Sequence, residues 1–428
     1  MIDITYVRKN PETVKKNIID RGLDPDIYNV DELLRLDTQR VDMLREVEKL
    51  REERNKMADK MRSERSEELI EQGRAVKETL RVKEEALEKI GQDYQNLMDM
   101  LPNLMSPDMP RGKSSADNML IKEWGNKPQF NFQPKNHLEL GEELDLIDTK
   151  VSANVSGSRF YYLKNEAVML QFGLFNLALQ KLVKRGFIPI TVPVLLKRRA
   201  LYGTGYFPSE ESQVYKLETN EKLEEKDDLY LAGTSEQAIV SYHADTVLPL
   251  RELPKKYVGY STCFRSEVGS WGKDVYGIKR VHQFDKIEMI YFTTPETSEQ
   301  HMREALAIEE ELLQELGLSY HVIDMCSGDV GMATYRKFDT EVWLPGQQEY
   351  CETMSDSDLD AFHARRLNIR YQKEDGEREH VHTVSATAIT NTRPIIAILE
   401  NYQQEDGSVR VPEVLREYVG TDVIRKKP

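Results

Sequence analysis

The first quarter of the chain carries a heptad pattern, in which apolar residues return at alternating spacings of three and four positions. The apolar positions of the first segment are Leu33, Leu36, Met43, Val47, Leu50, Met57 and Met61, with Arg40 and Arg54 at the two remaining seam positions. After 63–66 the pattern resumes at Leu69, Val76, Leu80, Leu87, Ile90, Tyr94, Leu97 and Leu101, with Gly73 and Lys83 at the exceptions. Two such segments joined by a short turn predict an antiparallel coiled-coil hairpin over about residues 31–101, with helices of roughly 45 Å. Pro102 ends the second helix and opens a proline-punctuated linker, 102–110.

The remainder of the chain shows strand and helix patterns together. Residues 257–264 and 286–292 are strand-like runs, whereas 299–316 has the spacing of an amphipathic helix. The sequence contains no Gly-x-x-x-x-Gly-Lys phosphate loop, which argues against a P-loop ATPase. We therefore predict an α+β protein of two domains, with the hairpin in residues 1–110 and a mixed antiparallel sheet in residues 111–428.

Composition narrows the class of protein further. The 428 residues include 39% hydrophobic and 31% charged residues, with a net charge of −15. The three cysteines, Cys263, Cys326 and Cys351, form no Cys-x-x-Cys pair, which favours a reducing compartment over a zinc knuckle or a disulfide framework. No apolar run reaches the length of a membrane span, so we expect a cytoplasmic protein. The negative charge does not exclude an RNA partner, because RNA binding needs only a local basic stripe.

Charged and aromatic residues cluster around the two strand-like runs. Arg265 and Glu267 stand at alternate positions, so a strand would present both on one face. Phe284 and Glu288 are four residues apart and share a face of the returning strand. An arginine grips a phosphate with two parallel hydrogen bonds, and an adjacent aromatic ring suits a purine base. The pattern favours a nucleotide site but leaves open a surface hairpin with paired charges.

A second basic position lies near the C-terminus, where small polar residues pass into an apolar helix. Pro394 suits the first turn of that helix, since its missing N–H is harmless there. Arg393, expected just before the turn, adds a full charge to a helix end that already favours anions. Together with Arg265 it could hold the two ends of a triphosphate.

These segments resemble motifs 2 and 3 of the class II aminoacyl-tRNA synthetases, and among them the seryl-tRNA synthetase family. The resemblance extends over nearly the whole chain. Residues 185–193 resemble motif 1, 231–237 the serine-binding strand of the family, and 341–346 a further shared segment. It implies a class II synthetase-like antiparallel sheet in the catalytic domain, preceded by the coiled-coil hairpin, and a homodimer that forms through motif 1.

The resemblance also implies an activity, that of a serine–tRNA ligase. Such an enzyme activates L-serine with ATP to seryl-adenylate and transfers serine to the 3′ end of tRNA(Ser). Because the serine carboxylate is already ionised at neutral pH, activation requires no general base, but it does require positioning and neutralisation of phosphate charge. Mg²⁺, which takes oxygen ligands and bridges phosphates, is the metal expected alongside ATP.

The functional positions of the family map onto this chain in three groups. The implied catalytic residues are Arg265, Glu267 and Arg393. The implied ATP-binding residues are Arg265, Ser266, Glu267, Arg280, Phe284, Glu352, Ser355 and Arg393. Among these, Glu352 and Ser355 are the implied metal ligands, at the end of the strand that begins at Glu341. The implied serine-binding residues are Thr234, Ser235, Glu236, Arg265, Glu288, Ser385 and Thr387. We expect His243, His282 and His363 to be structural, because no paired helical spacing joins them to acids.

The hairpin taken alone is most simply an interaction or spacer element. In the resembling family such an arm reaches the long variable arm and elbow of tRNA bound to the other subunit, and it reads shape rather than base edges. Basic residues near the outer half of the arm could meet phosphates, namely Arg45, Lys49, Arg51, Lys56, Lys60, Arg62 and Arg65. The partners expected are therefore tRNA(Ser) and, as a second candidate, tRNA(Sec).

The chain departs from the family pattern at three places. Ser385 stands where motif 3 commonly has Asn, and its shorter side chain is expected to reach less far. Residues 354–366 replace a Ser-Ser-Cys-Ser-Asn pattern, so that Asp356, Asp358 and Asp360 are expected to add negative charge near the ATP site. The loop 273–277 lacks the frequent Arg-Asp-Thr-Arg-Gly. Two alternatives stay open: an adenylate-forming ligase for another small amino acid, or a catalytically silent RNA-binding paralogue.

Overall fold

The computed structural model describes residues 1–64, 66–218, 224, 227–269 and 277–427. The chain divides into two compact units, Met1–Pro102 and Asn103–Pro428. The helices are α1 Ile4–Lys9, α2 Pro11–Asp20, α3 Val30–Ser63, α4 Glu67–Met100, α5 His137–Glu143, α6 Lys150–Val155, α7 Glu166–Lys184, α8 Arg198–Gly203, α9 Ser235–Ser241, α10 Ser298–Glu315, α11 Phe362–Leu367, α12 Thr392–Asn401 and α13 Arg416–Val419.

The strands alternate with these helices through the second unit. They are β1 Met119–Trp124, β2 Ile147–Asp148, β3 Tyr162–Leu163, β4 Ile188–Thr191, β5 Leu195–Lys197, β6 Leu229–Leu231, β7 Val247–Pro249, β8 Lys255–Phe264, β9 Gln283–Thr293, β10 Tyr320–Asp324, β11 Arg336–Leu344, β12 Glu349–Asp358, β13 Arg370–Gln372, β14 Arg378–His380, β15 His382–Thr390, β16 Val409–Arg410 and β17 Val423–Ile424.

The first unit is dominated by the hairpin of α3 and α4, which confirms the heptad prediction. Each helix has 34 residues, a length of about 51 Å at 1.5 Å per residue. The pairing is antiparallel, because Glu46 contacts Lys83 at 2.8 Å while Arg40 stacks over the ring of Tyr94 at 4.6 Å. Asn29 caps the start of α3 by accepting a hydrogen bond from the Glu32 N–H at 2.9 Å. The two long helices thus begin and pair as their sequence pattern indicates.

The second unit is built on an eight-stranded sheet in the order β1-β10-β11-β12-β15-β9-β8-β4. Neighbouring strands are antiparallel except β4 and β8, which run parallel. The predicted strand runs lie within β8 and β9, and the predicted amphipathic helix is α10. Helix α10 packs on β12 and β15, with Ile308, Leu312 and Leu313 fully buried. The expected α+β fold with a mainly antiparallel sheet is therefore confirmed.

The proline-punctuated linker attaches to the second unit. The Asn103 N–H donates to the carbonyl of Met332 at 2.7 Å, and the Ser106 N–H donates to the carbonyl of Tyr335 at 2.9 Å. The Asn103 side chain donates to the carbonyl of Leu359 at 3.0 Å. These bonds fix the backbone of the linker against residues that precede β11 and follow β12.

Candidate active site

One cavity of about 660 Å³ in the second unit gathers most of the predicted site residues. Those that line it are Thr234, Glu236, Arg265, Glu267, Arg280, Phe284, Glu288, Glu352, Ser355, Ser385, Thr387 and Arg393. Ser235 and Ser266 do not line it. Ser235 is fully buried beside Gly259, while the Ser266 hydroxyl donates to the carbonyl of Ser212 at 2.5 Å. The predicted residues thus converge from strands β9, β12 and β15 and from helices α9 and α12.

The arginine of the first motif reaches the cavity by a different backbone path from the one predicted. Strand β8 ends at Phe264, and Glu267 has a φ of 50°, so the expected strand alternation of Arg265 and Glu267 is wrong. Both side chains nevertheless line the cavity. The Arg265 guanidinium lies 5.3 Å from the centre of the Phe284 ring, and Arg280 Nε lies 3.4 Å from Glu267 Oε2. A cationic group and an aromatic face therefore adjoin each other, as recognition of a nucleotide requires.

The second arginine sits inside its helix rather than before it. Helix α12 begins at Thr392, two residues earlier than expected, which places Arg393 in the first turn. Its Nη1 donates to the Glu352 carbonyl at 2.8 Å and lies 3.2 Å from Glu352 Oε2. Burial opposes ionisation of Glu352, but the attraction of Arg393 and Lys337 outweighs it and lowers the pKa of Glu352 to about 2. Glu352 is therefore an anion at neutral pH.

Glu352 and Ser355 belong to strand β12, so their expected place at the end of the strand containing Glu341 is wrong. Glu341 lies in β11, which pairs antiparallel with β12 and brings Glu341 opposite Glu352. Glu352 and Ser355 line the cavity with a carboxylate and a hydroxyl, the oxygen donors that Mg²⁺ prefers. No cluster of three or more His, Cys, Asp or Glu suited to a metal occurs among the described residues. The donors fit a magnesium ion that takes its remaining ligands from phosphates and water.

A buried acidic pocket forms the other end of the cavity. Glu288 is 3% exposed and pairs with Lys286, and the Ser385 hydroxyl donates to Glu288 Oε1 at 3.0 Å. Thr387 lies opposite Glu288 in the β9–β15 pairing. Burial, and then the charge of Glu288, raises the pKa of Glu236 to about 7 against the opposing effect of Lys286. Two carboxyls in one small pocket suit a ligand that carries an ammonium group and a hydroxyl.

Thr234 connects this pocket to the backbone. It is the N-cap of α9, and its hydroxyl accepts a hydrogen bond from the Glu236 N–H at 3.2 Å. The Gly233 N–H donates to the Gln237 side chain at 2.9 Å. The Arg265 Nε donates to the carbonyl of Gly233 at 3.4 Å. The cap and these hydrogen bonds therefore fix the start of α9, which carries Glu236, next to Arg265.

The residues that depart from the family pattern differ in where they lie relative to the cavity. The Ser385 hydroxyl donates a hydrogen bond to Glu288, while its reach toward a substrate hydroxyl stays a prediction. Asp356 and Asp358 alternate with the cavity-lining Ser355 and Ser357 and face away from the cavity. Burial raises the pKa of both aspartates, and the expectation that they add charge to the ATP site is wrong. Residues 273–276 lie outside the described residues.

The end of the motif 2 loop is anchored through a buried histidine. The Ile278 N–H donates to His137 Nε2 at 3.3 Å, and the other ring nitrogen of His137 lies 3.2 Å from Glu400 Oε1. His137 and Glu400 are fully buried. Gly277 has a φ of 65° and packs against His137 so closely that an added Cβ would collide with the ring. This contact ties the loop to α5 and α12.

Sequence reasoning missed several residues that line the cavity, among them Tyr206, Glu210, Lys279, Lys286 and His363. Lys286 carried a usable signal, since it is two residues before Glu288 on the same strand and therefore shares its face. His363 was expected to be structural. It lies beside Glu236, on a helix 127 positions later in the chain, and no local pattern connects the two.

The fold and cavity define a class II aminoacyl-tRNA synthetase. A family model for the tRNA synthetase class II core domain (G, H, P, S and T) matches residues 215–402. A second model, the seryl-tRNA synthetase N-terminal domain, matches residues 1–105. The two matched regions contain the arm and most of the cavity-lining residues, including both arginines.

Full-length relatives specify the family within that class. A serine–tRNA ligase of Dictyoglomus turgidum is 42% identical over 435 residues, covering 100% of both chains. The crystal structure of seryl-tRNA synthetase from Pyrococcus horikoshii complexed with ATP matches with a TM-score of 0.91 at 38% identity, covering 100% of both chains. The cytoplasmic serine–tRNA ligase of Naegleria fowleri in complex with AMP has a TM-score of 0.84 at 29% identity, covering 98% of this chain and 96% of that one. The chain belongs to the seryl-tRNA synthetase family, the ATP-dependent serine–tRNA ligases.

Proposed function

We propose that the cavity carries out serine activation with the residues that converge in it, and that the hairpin supplies the contacts to tRNA(Ser). The observation that carries this proposal is the shared lining of one cavity by two arginines and two carboxyls, Arg265 and Arg393 with Glu236 and Glu288. The arginines match a polyphosphate, and the carboxyls match an amino acid. Their common cavity allows the two substrates to meet.

In the first step the serine carboxylate attacks the α-phosphorus of ATP. A new P–O bond forms, the bond from the α-phosphorus to the bridging oxygen breaks, and pyrophosphate leaves with that electron pair. No proton has to move. Arg265 neutralises charge at the α-phosphate, where it develops in the transition state, while Arg393 holds the γ-phosphate end. Arg280 supplies a further phosphate contact, Phe284 stacks on adenine, and Glu267 orients the nucleotide from the adenine side.

The serine end of the site recognises each polar group of a small substrate. Glu236, with Thr234 beside it, binds the ammonium group, and Arg265 binds the carboxylate. Glu288, Ser385 and Thr387 form hydrogen bonds to the side-chain hydroxyl. Because these groups are buried, an alanine substrate would leave them unpaired, which is the strongest source of discrimination available to a small pocket. Threonine is excluded by the walls of the pocket.

We assign Mg²⁺ binding to Glu352 and Ser355. When bound there, the ion neutralises phosphate charge and orients the triphosphate. The contribution of the protein is a carboxylate held ionised by Arg393 and a hydroxyl on the same strand. Arg393, in turn, is positioned by the carbonyl and carboxylate of Glu352.

In the second step a terminal ribose hydroxyl of tRNA attacks the carbonyl carbon of the adenylate. The new ester forms as AMP leaves with the electron pair of the broken bond, and the hydroxyl proton passes to a phosphate oxygen. Of the seven basic residues expected to meet phosphates, the six that the structure describes are exposed, namely Arg45, Lys49, Arg51, Lys56, Lys60 and Arg62, whereas Arg65 lies outside the described residues. Exposed cations suit a phosphate backbone. This supports an RNA partner, for which we propose tRNA(Ser) and, as a second candidate, tRNA(Sec).

We further propose that the active form is a homodimer associated through motif 1. The residues of motif 1 follow α7 and include β4, the edge strand of the large sheet. Apolar side chains on these two elements are exposed, with Met169, Phe172, Val183 and Ile188 between 44% and 54% exposed. Such an apolar patch favours burial in an interface.

We also propose a cytoplasmic location, with which the three free cysteines agree because they fit a reducing compartment. No described helix has the length and apolar character of a membrane span.

ATP–pyrophosphate exchange with serine, alanine, threonine and glycine, followed by charging of tRNA(Ser), tests the proposal. We expect exchange that depends on serine, and ester formation on tRNA(Ser). Exchange with another small amino acid in place of serine would support the adenylate-forming alternative. Loss of exchange with every amino acid, in a folded protein that binds tRNA, would support the silent RNA-binding alternative.

A further inference from the structure

His363 occupies an unexpected place in the substrate cavity. Its side chain is fully buried at the start of α11, yet it is part of the cavity lining. His363 Nε2 lies 3.5 Å from Glu236 Oε1. This nitrogen meets no hydrogen-bond partner of good geometry among the residues that the structure describes. A buried polar atom without such a partner is costly, and one directed at a substrate-binding carboxylate is a candidate for a role in binding.

The opposite side of the ring contacts a buried hydroxyl, from which we assign the position of the ring proton. His363 Nδ1 lies 3.1 Å from the hydroxyl of Thr383, which is itself fully buried on β15. Burial lowers the pKa of His363 to about 3, against a smaller raising effect of the Thr204 backbone, so the ring is neutral. We assign the Thr383 hydroxyl as the donor to Nδ1, which places the proton of the neutral ring on Nε2. Nε2–H is then a donor that faces Glu236.

Lys286, a hydrogen bond from Ser385 and the charge of Arg265 favour the ionised form of Glu236, but they do not offset burial and the charge of Glu288. Its side chain is 15% exposed, and the nearby charge of Glu288 disfavours a second anion. Lys286 opposes this effect but pairs with Glu288. A neutral donor next to Glu236 stabilises the carboxylate without repelling the substrate ammonium group, which a charged imidazolium would do.

We propose that His363 is a positioning residue for the substrate ammonium group, acting by donation of its Nε2–H to Glu236. This inference rests on the proposed function, since it requires that Glu236 binds the ammonium group of serine. The hydrogen bond would orient one carboxylate oxygen and leave the other for the substrate. Thr383 sets the tautomer that makes the donation possible.

Steady-state ATP–pyrophosphate exchange with the full chain tests the proposal. In His363→Leu we expect the KM for serine to rise about tenfold or more, as for loss of a hydrogen bond to a charged group, with the KM for ATP within about twofold of the parent. His363→Gln retains a donor and should keep the KM for serine within about threefold of the parent. His243→Gln is the matched control, because His243 is a buried histidine that bonds Tyr257 and does not line the cavity.

An unchanged KM for serine in folded His363→Leu would overturn the proposal, as would equal increases in the KM values for serine and ATP. If His363→Leu does not fold, Thr383→Val provides the test instead, because it removes the hydroxyl that fixes the tautomer. In this variant the KM for serine should rise while the KM for ATP stays unchanged. An unchanged value in Thr383→Val would then reject the proposal. Serine-dependent exchange by the parent protein is the separate test of the proposed function, so the two failures are distinguishable.

Discussion

Arg393 Nη1 lies 3.2 Å from Glu352 Oε2 and also donates a hydrogen bond to the Glu352 carbonyl at 2.8 Å. The first residue is in the opening turn of α12 and the second is in the middle of β12. The pair therefore joins the helix of Arg393, which we propose binds phosphate, to the strand that carries the proposed metal ligands. A change at Glu352 should disturb the cation and the metal together.

Glu352→Gln should lower the rate of serine-dependent pyrophosphate exchange by about a hundredfold, because one charged partner is lost from a site built around phosphate charge. The Mg²⁺ concentration needed for half-maximal exchange should rise as well. Glu417→Gln is the control, since Glu417 is exposed on α13 and does not line the cavity. A normal Mg²⁺ dependence in Glu352→Gln would remove Glu352 from the metal site.

Arg265→Ala should reduce exchange by about a hundredfold or more, because a cation is lost where negative charge develops on the α-phosphate. Arg265→Lys should recover little, since lysine has no planar fork for two parallel hydrogen bonds. Arg303→Ala serves as the control, because Arg303 is exposed on α10 and pairs only with Glu299 among the described residues. Near-normal exchange in Arg265→Ala would contradict its catalytic role.

The pH dependence of serine use should report on Glu236. The pKa of this carboxyl is raised to about 7, chiefly by burial, and its ionised form is the one that attracts an ammonium group. We expect kcat/KM for serine to increase from pH 5.5 to 8.5 through a midpoint near pH 7, while the KM for ATP changes little. A flat profile for serine over this range would show that another group binds the ammonium.

The raised pKa of Glu236 also makes the free energy of unfolding depend on pH. The pKa of Glu236 in the folded protein exceeds the unfolded value of 4.5. Stability from the neutral carboxyl is therefore fully present below pH 4.5 and is lost as the pH rises through about 7. Glu236→Gln should increase the free energy of unfolding relative to the parent at pH 8 and much less at pH 5. Denaturant unfolding at the two pH values measures the difference.

Gly277→Ala should destabilise the end of the motif 2 loop. The position has a φ of 65°, and the new Cβ would collide with His137, which also bonds the next backbone N–H. We expect a fall in exchange of about tenfold or more, together with a lower midpoint of thermal unfolding. Gly22→Ala is the control, because Gly22 has a φ of 70° with no atom in reach of the added Cβ. Equal effects of the two substitutions would mean that backbone strain alone, and not the His137 contact, is responsible.

Shortening the arm should separate the two steps of the reaction. Replacement of residues 52–82 by a short turn keeps the ion pairs of Arg51 with Glu84 and of Glu46 with Lys83. We expect pyrophosphate exchange within about twofold of the parent, but at least about a hundredfold slower charging of tRNA(Ser), because phosphate contacts are lost. Parallel assays of exchange and charging measure this. Equal losses in both assays would show that the outer arm also supports activation.

The sequence by itself determined the features that depend on local periodicity. The heptads specify α3 and α4, since a repeat of 3.5 residues places one apolar seam along a helix wherever that helix lies. The two strand runs specify β8 and β9, and the spacing of Phe284 and Glu288 places both on one face of β9. The motif residues indicated a nucleotide site, whereas ATP and serine as substrates were implied by the resemblance to the seryl-tRNA synthetase family.

Only the tertiary structure decided which groups work as pairs. The contacts of Arg393 with Glu352, of Ser385 with Glu288 and of His363 with Glu236 join residues 41, 97 and 127 positions apart. Such pairs depend on strand order and helix placement, which local patterns do not contain. For the same reason, the turn of the chain after Phe264 and the burial that shifts the pKa of Glu236 became visible only with the sheet assembled. The electrostatic potential in a cavity depends on every residue that lines it, whereas a sequence motif contains the residues of only one segment of the chain.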